Sequence, residues 1–136
     1  MPTFRQAVEA KDAAAIEAML ADDVVFTSPV AFKPYQGKAI TAAILRGVMR
    51  VFEDFRYVRE IQDGAHHVYE FEATVDGLRI NGCDLLTFDA DGRIIDFKVM
   101  VRPLRAAEAL AARMGAQFEA IKADALSSPL VSGNDG

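Results

Sequence analysis

The chain has 136 residues, 51% of them hydrophobic, and a formal net charge of −5 at pH 7. This length accommodates one compact domain with a sizeable core, and the apolar content excludes a disordered chain. The acidic balance excludes a nucleic-acid partner, because phosphate binding depends on clustered Lys and Arg. We expect a single domain over residues 1–126 and a flexible, Ser/Gly-rich tail over residues 127–136.

Cysteine, histidine and apolar runs limit the compartment and the chemistry. The single Cys83 excludes an intramolecular disulfide framework and suits a reducing compartment. The only histidines, His66 and His67, are sequence neighbours, so zinc-type spacing is absent and we expect no metal and no cofactor. The N-terminus has no signal-like apolar run, and no stretch approaches the roughly 20 apolar residues of a membrane span. We therefore expect a cytoplasmic protein without a membrane partner.

The first 37 residues predict two short helices, a strand and a loop. Thr3 and Gln6 match a capping box for a helix from Phe4 to about Lys11. Asp12 can cap a second helix, 13–20, and Val24 to Thr27 indicates a short buried strand. Two prolines in residues 28–37 indicate a loop.

A third helix is predicted from Lys38, because apolar residues recur at spacings of three and four. Its apolar stripe consists of Ile40, Ile44, Val48, Val51, Phe52 and Phe55. Three long β-type runs follow, separated by Asp63-Gly64, Asp76-Gly77 and Asp91-Gly92. Asp-Gly favours two-residue hairpin turns, because both central residues of such a turn need positive φ.

Arg102-Pro103 closes the last strand, and a fourth helix is predicted from Leu104. Its apolar face carries Leu104, Ala107, Ala111, Met114 and Phe118. Helices followed by an antiparallel meander indicate an α+β fold in which helices cover one face of a sheet.

The two later turns fix the strand register. They place Tyr69 opposite Asp84, Asp84 opposite Val99, and Phe88 opposite Ile95. One face is then apolar, with Tyr69, Phe71, Ala73, Val75, Ile80, Leu86, Phe88, Ile95, Phe97, Val99 and Val101. The opposite face is polar, with Glu70, Glu72, Arg79, Asn81, Thr87, Asp96 and Lys98. The register of strand 55–62 stays open, because the Asp63-Gly64 turn and the apolar pattern disagree.

Asp84 is the exception on the apolar face. A buried carboxylate finds a partner or stays protonated, and Tyr69, directly opposite, is the predicted hydrogen-bond partner. His67 lies on the same face one diagonal step away. One interpretation is a pocket acid that donates a proton or hydrogen bond; the other is a carboxylate that reaches water or caps a helix.

Several segments resemble the SnoaL-like, nuclear transport factor 2-like superfamily over residues 4–102. They are residues 4–12, Leu20-Ala21-Asp22-Asp23, Ser28-Pro29-Val30 through Gly37, and Asp84 to Ile95. The resemblance implies a cone-shaped curved antiparallel sheet wrapped around the N-terminal helices, with a C-terminal helix as an extension. It also implies a homodimer through the outer sheet face. The superfamily includes isomerases, cyclases, dehydratases, epoxide hydrolases and non-catalytic binding proteins.

Ketosteroid isomerases use an Asp base, with a Tyr and a protonated Asp forming the oxyanion hole. By resemblance, the tyrosine aligns with Phe4, the base with Ser28 and the oxyanion aspartate with Asp84. A serine hydroxyl without an activating partner cannot remove a carbon-bound proton, so we expect no ketosteroid isomerase activity. For Ser28, a local turn hydrogen bond is the alternative to a nucleophile.

Two functional hypotheses stay open. In the first, an internal pocket binds a small hydrophobic molecule without catalysis. In the second, a cofactor-independent isomerase, cyclase, dehydratase or hydrolase acts on a polyketide-, steroid- or terpenoid-like metabolite. The candidate catalytic residues are Asp84, Tyr69 and His67. The candidate ligand-binding residues are Phe4, Ser28, Phe71, Leu86, Phe97, Val99, Met114 and Phe118.

Overall fold

The computed structural model describes residues 2–127. The helices are α1 (Phe4–Glu9), α2 (Ala13–Met19), α3 (Lys38–Val51), α4 (Leu104–Ala116) and α5 (Phe118–Leu126). The strands are β1 (Leu20–Thr27), β2 (Tyr35–Gln36), β3 (Glu53–Asp63), β4 (His66–Val75), β5 (Leu78–Phe88) and β6 (Ile94–Arg102). The predicted tail lies, from residue 128 onward, outside the described residues.

The N-terminal helices begin where the capping residues predict. The Thr3 side chain accepts from the backbone N–H of Gln6, and the Gln6 side chain accepts from the N–H of Thr3. Asp12 caps α2 through the N–H of Ala15. The first helix ends earlier than predicted, at Glu9, because Lys11 adopts a positive φ of 55°.

The strands form one mixed six-stranded sheet in the order β2-β1-β6-β5-β4-β3. The four strands β3 to β6 form the predicted antiparallel meander. The predicted α+β fold is confirmed, and the sheet is antiparallel as predicted except for one pair, since β1 runs parallel to β6. The chain leaves β1 through β2 and α3 and enters the meander at the far edge, so β6 returns beside β1 in the same direction. Apolar patterns do not encode that direction.

The register of the two later hairpins largely follows the prediction. Val75 faces Leu78 across the Asp76-Gly77 turn, and Tyr69 faces Asp84. Asp84 also faces Val99. The last turn differs, because Asp89 hydrogen-bonds to the backbone of Asp91 and Arg93 and a five-residue loop replaces the two-residue turn.

A register shift beside Thr87 absorbs the longer loop. Phe88 consequently faces Ile94, which is 0% exposed, whereas Ile95 is 36% exposed. The prediction that Ile95 lies on the inner face is therefore wrong. The shift is local, so the register at Leu86 and Phe97 is as predicted.

The open register of the first hairpin is resolved by irregularities in β3. Asp63 pairs with His66, which makes Glu60 the partner of Tyr69. A further shift between Tyr57 and Arg59 then pairs Tyr57 with Phe71 and buries the Tyr57 side chain. An insertion of one residue reverses the facing of every side chain beyond it. Because of these irregularities, neither the turn nor the apolar pattern alone predicts the register of β3.

Helices cover the inner face of the sheet. The predicted C-terminal helix is interrupted at Gln117, so Phe118 begins a separate helix, α5, which packs on α3. Arg46 of α3 holds this arrangement, with its Nε 2.8 Å from Asp124 and its Nη1 3.0 Å from Glu17 of α2. Within residues 2–127, no helix is long and apolar enough to cross a membrane.

Candidate functional site

A cavity of about 100 Å³ lies between the inner face of the sheet and the helices. Helices α1 to α4, the loop after β1, and strands β1 and β3 to β6 contribute to its wall. Seven lining residues are aromatic: Phe4, Phe26, Phe52, Phe55, Tyr57, Phe71 and Phe97. The other apolar lining residues are Val8, Ile16, Pro29, Val30, Ile44, Leu45, Val48, Met49, Val99, Leu110 and Met114.

Asp84 is the one carboxylate of this wall that is buried, with 7% exposure. The alternation of β5 turns its side chain inward, between the inward residues Gly82 and Leu86. The Tyr57 hydroxyl donates a hydrogen bond to Asp84 Oδ2 at 2.6 Å. Within residues 2–127, no side chain other than Tyr57 forms a hydrogen bond with the Asp84 carboxyl group. The Asp84 side chain is therefore half of a buried Tyr–Asp pair.

Burial raises the pKa of Asp84 to about 7, and the hydrogen bond from Tyr57 opposes part of that rise. The pKa of Tyr57 is raised well above its ordinary value, first by burial and then by the negative charge of Asp84. Tyr57 therefore keeps its proton at neutral pH, while Asp84 is divided between its two forms. The protonated acid can donate a hydrogen bond to a ligand oxygen, and the carboxylate can accept one from a ligand hydroxyl.

The predicted hydrogen bond between Tyr69 and Asp84 is not formed. The two residues face each other as predicted, but the Tyr69 hydroxyl lies 3.0 Å from Nδ1 of His67. A tyrosine hydroxyl extends well beyond the Cβ of the residue it faces, so direct opposition does not bring it to a short carboxylate. Tyr57, one strand further away, has the reach to cross β4 and meet Asp84.

The structure brings some predicted site residues together and separates others. On the cavity wall lie Asp84, Phe4, Ser28, Phe71, Phe97, Val99 and Met114. The residues placed elsewhere are Tyr69, His67, Leu86 and Phe118. His67 packs on Phe88 at 4.5 Å between ring centroids, Leu86 is buried in the core, and Phe118 packs on Tyr35.

Ser28 lies on the loop at the edge of the cavity. Its hydroxyl accepts a hydrogen bond from the backbone N–H of Val30 at 3.1 Å, which is a local turn contact. The charged lining residues besides Asp84 are Glu9 and Lys11, both exposed. Glu9 is paired with Arg5 at 3.4 Å. Within the described residues, no group of three His, Cys, Asp or Glu side chains could hold a metal ion.

Sequence reasoning missed Tyr57 and the aromatic pair Phe52 and Phe55. Phe55 and Tyr57 alternate along β3, which was the available signal, but the register of that strand was open. The apolar stripe places Phe52 and Phe55 in the third helix, and this prediction is wrong for both, because the helix ends at Val51. The two rings instead stack at 5.7 Å between centroids as the chain enters β3.

The fold is that of a SnoaL-like domain. The family model for the SnoaL-like domain matches residues 3–97, and the chain belongs to this family. A steroid delta-isomerase from Pseudomonas aeruginosa is 41% identical, covers 86% of this chain and 87% of its own, and superposes with a TM-score of 0.81. No curated protein sequence matches the chain.

Two further solved structures are similar. A bacterial protein with a cystatin-like fold from Silicibacter pomeroyi is 36% identical over 85% of this chain and 82% of its own, with a TM-score of 0.81. An epoxide hydrolase of the LEH-like type from M. tuberculosis is 24% identical over 86% and 90%, with a TM-score of 0.59. The likeness to the epoxide hydrolase indicates a shared fold alone.

Proposed function

We propose that this protein binds a small apolar molecule in the cavity and that Asp84 forms the hydrogen bond to its oxygen. The observation that carries the proposal is the buried Tyr57–Asp84 pair in an otherwise apolar wall. Burying a carboxyl group costs free energy that a purely structural core would avoid with an apolar residue. A pocket with many apolar contacts and one placed polar group is the usual form of a small-molecule site.

Among the described residues, the cavity wall provides no buried base of the kind that a steroid isomerase needs. Ser28 stands where the resemblance puts the base, and its hydroxyl is in a local turn. The other lining carboxylate, Glu9, is exposed and paired with Arg5. A general base has to be within hydrogen-bond reach of the proton it removes. The cavity is thus suited to holding an oxygenated molecule more than to moving a proton between its carbons.

Catalysis is the second candidate function, and the relative of 41% identity named steroid delta-isomerase favours it. In that case the protonated Asp84 would polarise a carbonyl group of the substrate. The test is conversion of a β,γ-unsaturated ketosteroid to its conjugated isomer, followed by ultraviolet absorbance. We expect no conversion above the buffer rate. Conversion that Asp84→Leu abolishes would replace the binding proposal by the enzyme proposal.

The binding proposal is tested by titrating oxygenated and oxygen-free probes of equal shape. Acetophenone and ethylbenzene should be compared on wild type, Asp84→Asn and Asp84→Leu by NMR chemical-shift titration. Thr41→Val is the matched control, because Thr41 is buried but does not line the cavity. Loss of one hydrogen bond of about 1.4 kcal/mol corresponds to about tenfold weaker binding of acetophenone to Asp84→Leu. Equal affinities of Asp84→Leu and wild type for acetophenone would refute the proposal.

We further propose that the outer face of the sheet joins two copies of the chain. Ile61 and Met100, which lie near Arg59 and Glu70 on this face, are 53% and 52% exposed. The same sheet also carries paired charges, Arg59 with Glu70 at 3.2 Å, so both signs are available to a twofold-related copy. We expect a dimer by light scattering at micromolar concentration and a monomer for Met100→Glu. A monomeric wild type would refute this assembly.

A further inference from the structure

The size and the wall of the cavity limit what can be bound there. The volume is about 100 Å³. An apolar cavity of about 150 Å³ in another protein accommodates one benzene molecule, whereas sites for drug-sized ligands measure about 300 Å³ or more. A four-ring steroid belongs to the second class. The cavity is smaller than both, so the largest ligand that it accommodates has one six-membered ring.

The wall itself is rigid where it is aromatic. Phe55 stacks on Phe71 with 5.0 Å between centroids and an interplanar angle of 26°, and it meets Tyr57 edge to face at 5.0 Å. Phe4 continues this wall, because its ring centroid lies 6.3 Å from that of Tyr57 and 5.7 Å from that of Phe97, with an interplanar angle of 69° to Phe97. Aromatic side chains have only two rotatable bonds, so mutually packed rings change position with difficulty. A planar ring can pack against this wall, because aromatic groups favour offset-stacked and edge-to-face contacts.

The position of the Phe71 ring depends on a glycine. Gly82 faces Phe71 across the β4–β5 pair, and a Cβ at Gly82 would lie 2.6 Å from Cζ of Phe71. The ring of Phe71 therefore lies against the sheet, which leaves space in front of it beside Asp84. This contact keeps the aromatic wall and the carboxyl group accessible to the same ligand.

We propose that the ligand is a monocyclic aromatic compound with a single oxygen substituent, either a phenol or an aryl ketone or aldehyde. Its ring lies among the aromatic side chains, and its oxygen hydrogen-bonds to Asp84. Tyr57 occupies Oδ2 of Asp84, so the carboxyl group has one oxygen left for one ligand oxygen. The inference rests on the proposed function and adds the size class and the aromatic character of the ligand.

The test is a series of probes of increasing size on wild type, by NMR titration. Phenol and acetophenone are the expected binders. Cyclohexanol tests the aromatic requirement, while naphthol and androstenedione test the size limit. We expect cyclohexanol to bind at least fivefold more weakly than phenol and androstenedione not to bind up to its solubility.

A cavity-enlarging variant makes the size limit testable in the other direction. Met114 lines the cavity from α4, whereas Leu104, in the same helix, is 75% exposed, does not line the cavity and provides the control. We expect Met114→Ala to gain at least tenfold in affinity for naphthol and Leu104→Ala to behave as wild type. An equal gain in both variants would contradict a size limit set by this cavity.

The outcomes separate this inference from the proposed function. Androstenedione that binds wild type as tightly as phenol, with affinity lost in Asp84→Leu, overturns the size limit and leaves the proposed function standing. Failure of phenol and acetophenone to bind wild type overturns the inference as well. Probes that bind wild type, Asp84→Asn and Asp84→Leu equally overturn both. If Asp84→Leu is unfolded, Asp84→Asn supplies the comparison, since its amide keeps the shape of the carboxyl group.

Discussion

The buried carboxyl group of Asp84 makes stability depend on pH in a direction opposite to that of most acidic residues. Its pKa is about 7 in the folded chain and 3.8 in the absence of burial. The folded state therefore binds the proton more tightly than the unfolded state does. Its contribution to stability is fully present below about pH 4 and is lost as the pH rises to about 7, with the plateau beyond.

The size of this effect follows from the two values. Each pH unit between them changes the free energy of unfolding by about 1.4 kcal/mol, so a rise from 3.8 to about 7 corresponds to about 4 kcal/mol. Asp84→Asn replaces the carboxyl group by an amide that cannot ionise but can still accept the hydrogen bond from Tyr57. The variant should therefore lose this pH dependence and keep the buried contact.

Urea unfolding from pH 4 to pH 8, followed by circular dichroism, measures the prediction. The difference between wild type and Asp84→Asn cancels the titration of the other carboxylates and of His66 and His67. We expect this difference to change by about 4 kcal/mol between pH 4 and pH 7, with Asp84→Asn the more stable protein at pH 8. Parallel curves for the two proteins would show that the Asp84 carboxyl group is solvated like an exposed one, and the reasoning from burial would be wrong.

Three further substitutions test the surroundings of the cavity. Tyr57→Phe removes the hydrogen bond that lowers the pKa of Asp84, so the window of stability loss should extend above pH 7 in the same urea experiment. Gly82→Ala places a methyl group against Phe71 and the backbone oxygen of Met100, and we expect a loss of about 2 kcal/mol in unfolding free energy, whereas an unchanged midpoint would contradict the packing. Thr41→Val removes a buried hydroxyl group that has no partner within residues 2–127, and a gain of about 1 kcal/mol is expected in place of a loss.

Local signals in the sequence predicted most of the scaffold. The cap residues Thr3 and Asp12 mark the starts of α1 and α2, and the Asp76-Gly77 turn fixes ten residue pairs between β4 and β5. These features depend on neighbours in the chain and on a period of two, which a sequence displays directly. The inward position of Asp84 follows from the same alternation of side chains, counted from the Asp76-Gly77 turn.

The remaining features depend on contacts that no spacing displays. The parallel pairing of β1 with β6 depends on where α3 delivers the chain, and the end of α4 at Gln117 depends on packing against α3. The partner of Asp84 depends on an irregularity between Tyr57 and Arg59 that changes the facing of β3 by one residue. Because the sequence leaves that facing open, Tyr69, which lies directly opposite Asp84, is the partner that the β4–β5 register predicts.

The partner of Asp84 is Tyr57 and not the predicted Tyr69, and this difference determines which polar groups the cavity presents to a ligand. Tyr69 directs its hydroxyl to His67, so it does not approach Asp84, whereas Tyr57 lies in the cavity wall and donates a hydrogen bond to the carboxyl group. In this pair the tyrosine is a donor to Asp84 and not to a ligand, so the ligand meets one group, which donates or accepts according to its own protonation. A site of that kind can fix the orientation of an oxygen and polarise it. Transfer of a proton between carbon atoms needs a base as well. Ser28, which the resemblance aligns with that base, keeps its hydroxyl in a local turn contact with Val30.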